Sequence, residues 1–506
     1  MIQQQTSTKL IEMQEHHKVV IIGGGISGLA AAQVFSKYQI DALILEARDR
    51  LGGRIHTIRS GSAHYDLGAS WAHDTLVNPL FDVMRKEELS DGRSKYGFYY
   101  DDDDPLYFGE GDKGPKFFYL NKIDQVVKEF EKYIEISYFE SVDKDDVDLK
   151  SIFEQYISKQ GMLLTEVQVS YAAQLARHLE LWHGIEWNCM SSKYGLVDNV
   201  GRNCFLRNGY DKFIKEIKSD LDSEKIRKSS VVTRIDRSAN PIRVELEDGS
   251  VIYGDWVICT IPQILLQLPT GNRGVIEWKP ELPKTMIDAL DNMSWGKLGK
   301  VIFEFDSAWW KHHHKDRFMA LANPDKELLN KWKSIVTNTS VDMSATNTST
   351  HELPGAWDFP VLILNMYKIV GVPSLLCFTQ GTLTEHLEQN PSEAWSYMKP
   401  IIGRLKQTDL DLKEDLPKVD DPLNTIVSQW TVDPFSRGSY AACKPHDDPT
   451  DLVIHLERGL HRVRFAGEHT ILDGAGAVHG AWMSGRREAN YILGKEGIIE
   501  SKLQDW

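Results

Sequence analysis

No uninterrupted apolar run approaches the roughly 18 residues that a membrane helix needs, so the chain offers no transmembrane segment. Cysteine is scarce, with five in 506 residues (Cys189, Cys204, Cys259, Cys377 and Cys443). None pairs with another at metal-ligand spacing, which suits free thiols in a reducing compartment better than a disulfide framework, and no metal site is expected. Positive charge is also in deficit: Lys and Arg number 58 against 73 Asp and Glu, a formal net charge of -15. That balance argues against a nucleic-acid partner and favours cationic ligands, although a negative surface also serves solubility alone. Residues 1–17 are polar and lack an apolar signal core, so they read as a disordered leader. The last residues, Gln504-Asp505-Trp506, are not a Ser-Lys-Leu peroxisomal address. A cytoplasmic location is the expectation, and the sequons at Asn338 and Asn347 would then go unglycosylated.

What is present is ordinary globular material, 42% apolar and 26% charged, in a chain long enough for two cores. Val19-Val20-Ile21-Ile22 is a buried strand, followed by glycines, an alanine-rich helical stretch and a second apolar strand, Ala42-Leu43-Ile44-Leu45, closed by Glu46. Val231–Arg237 and Arg243–Leu246 alternate as strands joined by a turn at Ser238-Ala239-Asn240-Pro241. Trp256–Thr260 is a buried strand, and these later strands read as sheet insertions into the same domain. Helical, charge-rich segments at Asn121–Phe139 and Ser151–Leu181 point to a second domain. Asn338–Thr350, rich in Ser, Thr and Asn, is expected to be a surface loop. Asp101–Asp104 and His312–His314 read as solvated runs.

Gly23, Gly25 and Gly28 form a G-x-G-x-x-G between the first strand and the helix. Glycines there allow a tight turn and let backbone amides approach a pyrophosphate, while Glu46, about twenty residues on, can accept from a ribose. Arg48-Asp49-Arg50-Leu51-Gly52-Gly53-Arg54 adds a second glycine pair flanked by arginines able to reach phosphates. Nicotinamide enzymes do not need that second loop, so FAD is the expected nucleotide.

These runs resemble the flavin amine oxidase family of monoamine oxidases, polyamine oxidases and lysine-specific histone demethylases. Phe465-Ala466-Gly467-Glu468-His469-Thr470 and Gly480-Ala481-Trp482-Met483-Ser484-Gly485-Arg486-Arg487 resemble the family's second flavin site. Asp66-Leu67-Gly68-Ala69-Ser70-Trp71 and the motif from Trp430 to Tyr440 complete a likeness spanning roughly Lys18 to Leu493. The resemblance implies an α/β two-domain flavoprotein of the glutathione-reductase-like type, with an FAD domain from 18–85, 205–290 and 425–495. A mixed substrate domain from 86–204 and 291–424 and a tail at 496–506 account for the rest.

By the same resemblance, the flavin contacts are Gly23, Gly25, Ile26, Ser27, Gly28, Glu46, Ala47, Arg48, Gly53 and Arg54 near the start. Gly68, Ala69, Ser70, Trp71 and Val232 follow, then Trp430, Tyr440, Gly467, Glu468, Gly476, Gly480 and Ala481. A helix starting near Gly480-Ala481 would aim its positive end at the flavin's pyrimidine ring. Covalently flavinylated members carry cysteine before the tyrosine of the last motif. Ser439 stands there in this chain, so FAD is expected to be held noncovalently.

Lys300, at the start of a predicted strand, matches the family lysine that holds a water against the flavin N(5) atom. Lys297 is a nearby competitor, disfavoured by motif register. His73, with the tracts Glu180–Gly184 and Gly201-Arg202-Asn203, resembles fungal spermine oxidases, in which the matching histidine faces the substrate amines. Trp71, Trp182 and Tyr440 are candidate aromatic walls for a cationic chain, and Asn208 and Asp102 candidate distal partners. The resemblance implies hydride transfer from a carbon beside a secondary amine to the flavin, with oxygen as acceptor. Spermine would give spermidine, 3-aminopropanal and hydrogen peroxide, and the fungal likeness suggests a supply of beta-alanine for pantothenate. Oxidation of acetylated polyamines or monoamines, and non-enzymatic binding of a small apolar ligand, stay open as alternatives. So does the choice between monomer and homodimer.

Overall fold

A computed structural model describes residues 15–86, 95–100, 104–140, 144–196, 199–338, 354–407 and 419–500. Its first element, strand β1 (Glu15–Ile22), leads through the glycine turn into helix α1 (Ile26–Lys37) and strand β2 (Ala42–Leu45). Strand β3 (Val251–Cys259) returns from two hundred residues downstream to lie on the other side of β1. β1 runs parallel to both neighbours. Its side chains alternate between two cores, Val19 and Ile21 packing with α1 and Val20 and Ile22 on the opposite face. Burial on both faces is why this strand reads as an unbroken apolar run and not as an alternating one.

The sheet grows outward from that parallel centre. Ile242–Leu246 pairs antiparallel with β3 and with Val232–Asp236, the predicted hairpin, and Val463–Phe465 adds in parallel. The strand expected at Trp256 begins earlier, at Val251, and lies near the middle of the same sheet, beside β1. The expected disordered leader lies outside the described residues except for Glu15–His17, which belong to β1. His17 is buried there, its ring nitrogens bonded to Asp41 (3.0 Å) and Glu15 (3.1 Å), which gives these polar residues a structured place.

The second domain is built on a six-stranded sheet. Strand β4 (Gly299–Glu304) lies inside it, between Ser374–Thr379 and Asn424–Val427, antiparallel to both. Asn424–Val427 pairs with β4, so 425–427, expected in the FAD segment, lie in this second sheet. Ile302 packs toward the helices Ile123–Phe139, Leu149–Gln160 and Glu166–Ala176, while Val301 and Phe303 face the helices Gly381–Gln389 and Ala394–Gly403. Lys300 shares the parity of Ile302. The predicted helix 151–181 breaks at Leu164, where Thr165 starts a new helix with a reciprocal Thr165–Gln168 capping box. Of the predicted loop 338–350, all but Asn338 lies outside the described residues.

The last helix, α2 (Val478–Lys495), closes the nucleotide domain by crossing α1. The crossing is tight enough that a Cβ on Gly485 would stand 2.0 Å from the Ser27 carbonyl oxygen. Only glycine lets the two backbones meet there. Gly485→Ala is expected to destabilise the protein by about 1–3 kcal/mol, the usual cost of overpacking, and to loosen ligand binding near Ser27 and Ala481. Chemical denaturation of the variant beside the parent checks this.

Candidate active site

One continuous cavity runs between the two sheets, and most of the predicted residues line it. Its walls include Gly23, Gly25, Ile26 and Ser27 from the first turn, Glu46, Ala47 and Arg48 beyond β2, and Gly53 and Arg54. They continue through Gly68, Ala69, Ser70, Trp71, His73, Trp182, Val232 and Lys300 to Trp430, Tyr440, Gly467, Glu468, Gly476 and Ala481.

Gly28, Gly480 and Asn208 do not line it. A Cβ on Gly28 would stand 2.0 Å from the Gly23 carbonyl oxygen, and one on Gly480 2.2 Å from that of Gly474, so both glycines serve backbone packing behind the wall. The Asn208 amide donates to the Lys95 carbonyl (3.1 Å), and its side chain packs over Gly97 on the 95–97 turn. Asp102 lies outside the described residues.

The nucleotide end is shaped by backbone. Gly23 has φ +106°, and a Cβ on Gly53 would be 3.2 Å from the Gly25 Cα, so two bare glycine loops face each other across the cavity floor. α1 and α2 both start without a side-chain cap, at Gly25 and Ala477, and Gly25, Ala477 and Val478 line the cavity. Uncapped first-turn amides and the helix dipole make each start a place for negative charge. Glu46 is buried, one oxygen accepting from Gly24 N (2.7 Å) and the other from Arg48 N (2.8 Å). Each oxygen keeps a further lone pair for a hydroxyl.

The arginines are more committed than the sequence suggested. Arg48 pairs with Asp433 (2.8 Å) and Ser436, and Arg54 with Glu468 (2.9 Å) and the Ser439 carbonyl. They therefore brace the C-terminal motif against the N-terminal loop while still facing the cavity. The cradle of bare glycines, uncapped amides and a fixed acid fits a dinucleotide.

At the other end the chemistry changes. Lys300 is only 4% exposed, and its Nζ donates to the carbonyls of Asp66 (2.9 Å) and Gly68 (2.5 Å) and to Ser70 Oγ (2.7 Å). Its amine also lies 5.1 Å from the centre of the Phe378 ring and 5.8 Å from that of Trp71. Burial pushes the amine well below the ordinary lysine range, opposed in part by the Asp66 carboxylate. Lys297 points elsewhere, pairing with Glu385 (2.7 Å).

The Tyr440 hydroxyl donates to the Trp182 carbonyl, so both aromatic walls are fixed to each other, and burial raises the phenol. Trp430 Nε1 donates to the Leu67 carbonyl (2.9 Å), and a Cβ on Gly68 would stand 1.8 Å from the Arg54 carbonyl oxygen, so this turn has no slack. His73 Nδ1 bonds Asn203 Oδ1 (2.9 Å), and its ring stacks beside Trp71. Phe378, Leu181 and Leu298 complete the wall and were not anticipated. Phe378 reaches the site because its strand places it opposite Lys300. The carboxylates that line the cavity, Glu46 and Glu468, both belong to the nucleotide end.

Comparison with known proteins agrees with this arrangement. The family model for flavin containing amine oxidoreductase matches residues 26–493. The chain belongs to that family. FAD is accordingly its cofactor, and the residues of the glycine cradle are those that would hold it. A Candida albicans protein named corticosteroid-binding protein is 35% identical over 496 residues, 94% of this chain and 96% of its own length. Polyamine oxidase 5 of Oryza sativa is 29% identical over 474 residues, covering 92% of this chain and 86% of the relative. The probable polyamine oxidase 4 of Arabidopsis thaliana is 28% identical over 497 residues, 95% and 88% of the two chains.

The family motif also builds in an acid sensitivity. His469, beside Glu468, is buried, and loss of hydration lowers its ring from an ordinary 6.5 to about 4. Folded protein keeps this ring neutral where the unfolded chain takes up a proton, so its contribution to stability is complete above about pH 6.5 and is lost as pH falls toward 4. Melting temperatures measured near neutrality and at about pH 5 should therefore fall less in His469→Asn than in the parent; an equal fall would contradict the assignment.

Proposed function

We propose that the protein is an FAD-dependent polyamine oxidase whose preferred substrate is spermine. The observation that carries the reading is the juxtaposition, at one end of the flavin cavity, of a buried lysine amine with a slot walled by Trp71, Trp182, Phe378 and Tyr440. When bound, FAD supplies the two-electron oxidation of a carbon–nitrogen bond, and oxygen regenerates it. The chain's own groups do the rest. An apolar slot disfavours a charged nitrogen at the reacting carbon, so the substrate is held there as the free amine. Ring faces receive its other, cationic nitrogens, each contact contributing about 0.5–2 kcal/mol. His73, fixed by Asn203, offers its second ring nitrogen to the same chain.

Lys300, its amine made less basic by burial, can hold a water or move a proton at Nζ near neutral pH. In balance, spermine, oxygen and water give spermidine, 3-aminopropanal and hydrogen peroxide. The rice and Arabidopsis relatives named polyamine oxidases support the class of substrate.

A second reading is favoured by two observations. The substrate end is lined by apolar and aromatic side chains with no carboxylate among the described residues, and the Candida relative bears the name corticosteroid-binding protein. On that reading the slot holds an apolar ligand without turnover.

Anaerobic mixing separates the two. Spermine is expected to bleach the flavin fastest, ahead of N1-acetylspermine and benzylamine. A flavin that no amine reduces, in a protein that binds a steroid, would establish the second reading. Lys300→Met should keep FAD and lose roughly 10²-fold or more in oxidative turnover; near-parental turnover would remove Lys300 from the mechanism.

A further inference from the structure

Lys300 does not meet a carboxylate directly. Its three bonds go to three neutral oxygens on one short turn, the carbonyls of Asp66 and Gly68 and the hydroxyl of Ser70. An ammonium has three N–H donors, so this cup matches the charged form and would leave it no proton to offer the cavity. The neutral amine has two, and frees its lone pair or lets Ser70 turn and donate. What decides between these forms is the surrounding charge.

The carboxylate of the same residue that supplies the first carbonyl is buried, with Asp66 5% exposed. It is pinned by the Thr57 hydroxyl and by the backbone N–H of Tyr210 (3.2 Å to each oxygen). Neither donor carries a charge. Asp66 thus sits inside the fold as a buried acid whose bonded partners are neutral, on the turn that seats Lys300.

We propose that Asp66 is a positioning residue for Lys300: its carbonyl seats the lysine amine, and its buried carboxylate, held by Thr57 and Tyr210, decides whether that amine carries a proton. Other charged groups around the pair have partners of their own. Asp211, next to Tyr210, is paired with Arg59 (3.1 Å) and Lys215 (2.6 Å), and its charge adds to the burial that disfavours the ionised form of Asp66. Glu304, at the far end of β4, accepts from Tyr65 and Ser60 (2.8 Å each). Glu388 takes its bonds from Ser428, Trp430 and Thr431. His73 is bonded to Asn203.

Burial moves the two groups of the pair toward each other, raising Asp66 and lowering Lys300, with Asp66 the charge that opposes the fall of the lysine. Two such groups titrate as a unit: the proton rests on the lysine with the acid ionised, or on the acid with the lysine neutral. A change at either must appear at the other with equal free energy.

The proposal rests on the reading of Lys300 as the group that faces the reaction, but its test does not depend on turnover. In the flavin-loaded protein, lysine side chains are labelled with nitrogen-15, and the Lys300 resonance is identified by its loss in Lys300→Met. Its titration is then followed from mildly acid to alkaline pH. Asp66→Asn removes the anion at constant shape and is expected to lower the Lys300 midpoint by about one pH unit or more. Thr57→Val, at a position outside the cavity lining, removes a donor to the Asp66 carboxylate and so weakens its ionised form. It should move the midpoint the same way by less, and it decides the matter if Asp66→Asn does not fold. A Lys300 midpoint unmoved in every folded variant would overturn the proposal, whatever their activity.

Discussion

Everything at this site depends on backbone meeting backbone. Gly485 against Ser27, Gly28 against Gly23, Gly480 against Gly474 and Gly68 against Arg54 are places where a single methyl group would collide with a carbonyl oxygen. Those contacts bring two uncapped helix starts, the glycine loops and the Asp66–Ser70 turn onto one cavity. Side chains then decorate a surface the main chain has already shaped. Rigidity of this kind fixes amide dipoles before any ligand arrives, which is what lets them act on charge at no reorganisation cost.

The two ends of the cavity follow opposite electrostatic rules. At the nucleotide end, charges are present and satisfied: Arg48 with Asp433, Arg54 with Glu468, and Glu46 with two backbone amides. At the substrate end the walls are aromatic, and two titratable groups, Lys300 and Asp66 just behind it, are displaced by burial toward neutrality. On the proposed polyamine reading, a long cation would enter such a slot by surrendering charge at the nitrogen beside the reacting carbon, and the negative net charge of the chain would favour its approach.

What could be read in the sequence was local or motif-bound. The first glycine turn, Glu46, the second glycine pair and the Trp430–Tyr440 tract are short segments whose chemistry follows from their own order, and they line the cavity. Lys300 was placed by motif register, and the geometry separates it from Lys297 by what each amine touches. Phe378 was invisible because its role comes from strand register: it stands opposite Lys300 across a pairing no local pattern announces. The same holds for Asn424–Val427, whose sheet membership is fixed by β4. Asn208, a candidate distal partner by resemblance, lies off the cavity lining with its amide bound to the 95–97 turn, a placement that local sequence does not encode. Gly28 and Gly480 have the expected identity but act behind the wall, because a glycine motif does not say which of its members faces the ligand and which faces a carbonyl.

The most direct test is the flavin content of the purified, folded protein. Equimolar FAD, visible in the absorption spectrum and released in full on denaturation because Ser439 offers no covalent link, is the predicted result. A correctly folded chain that carries no flavin and takes up none when FAD is supplied would contradict the account at its root.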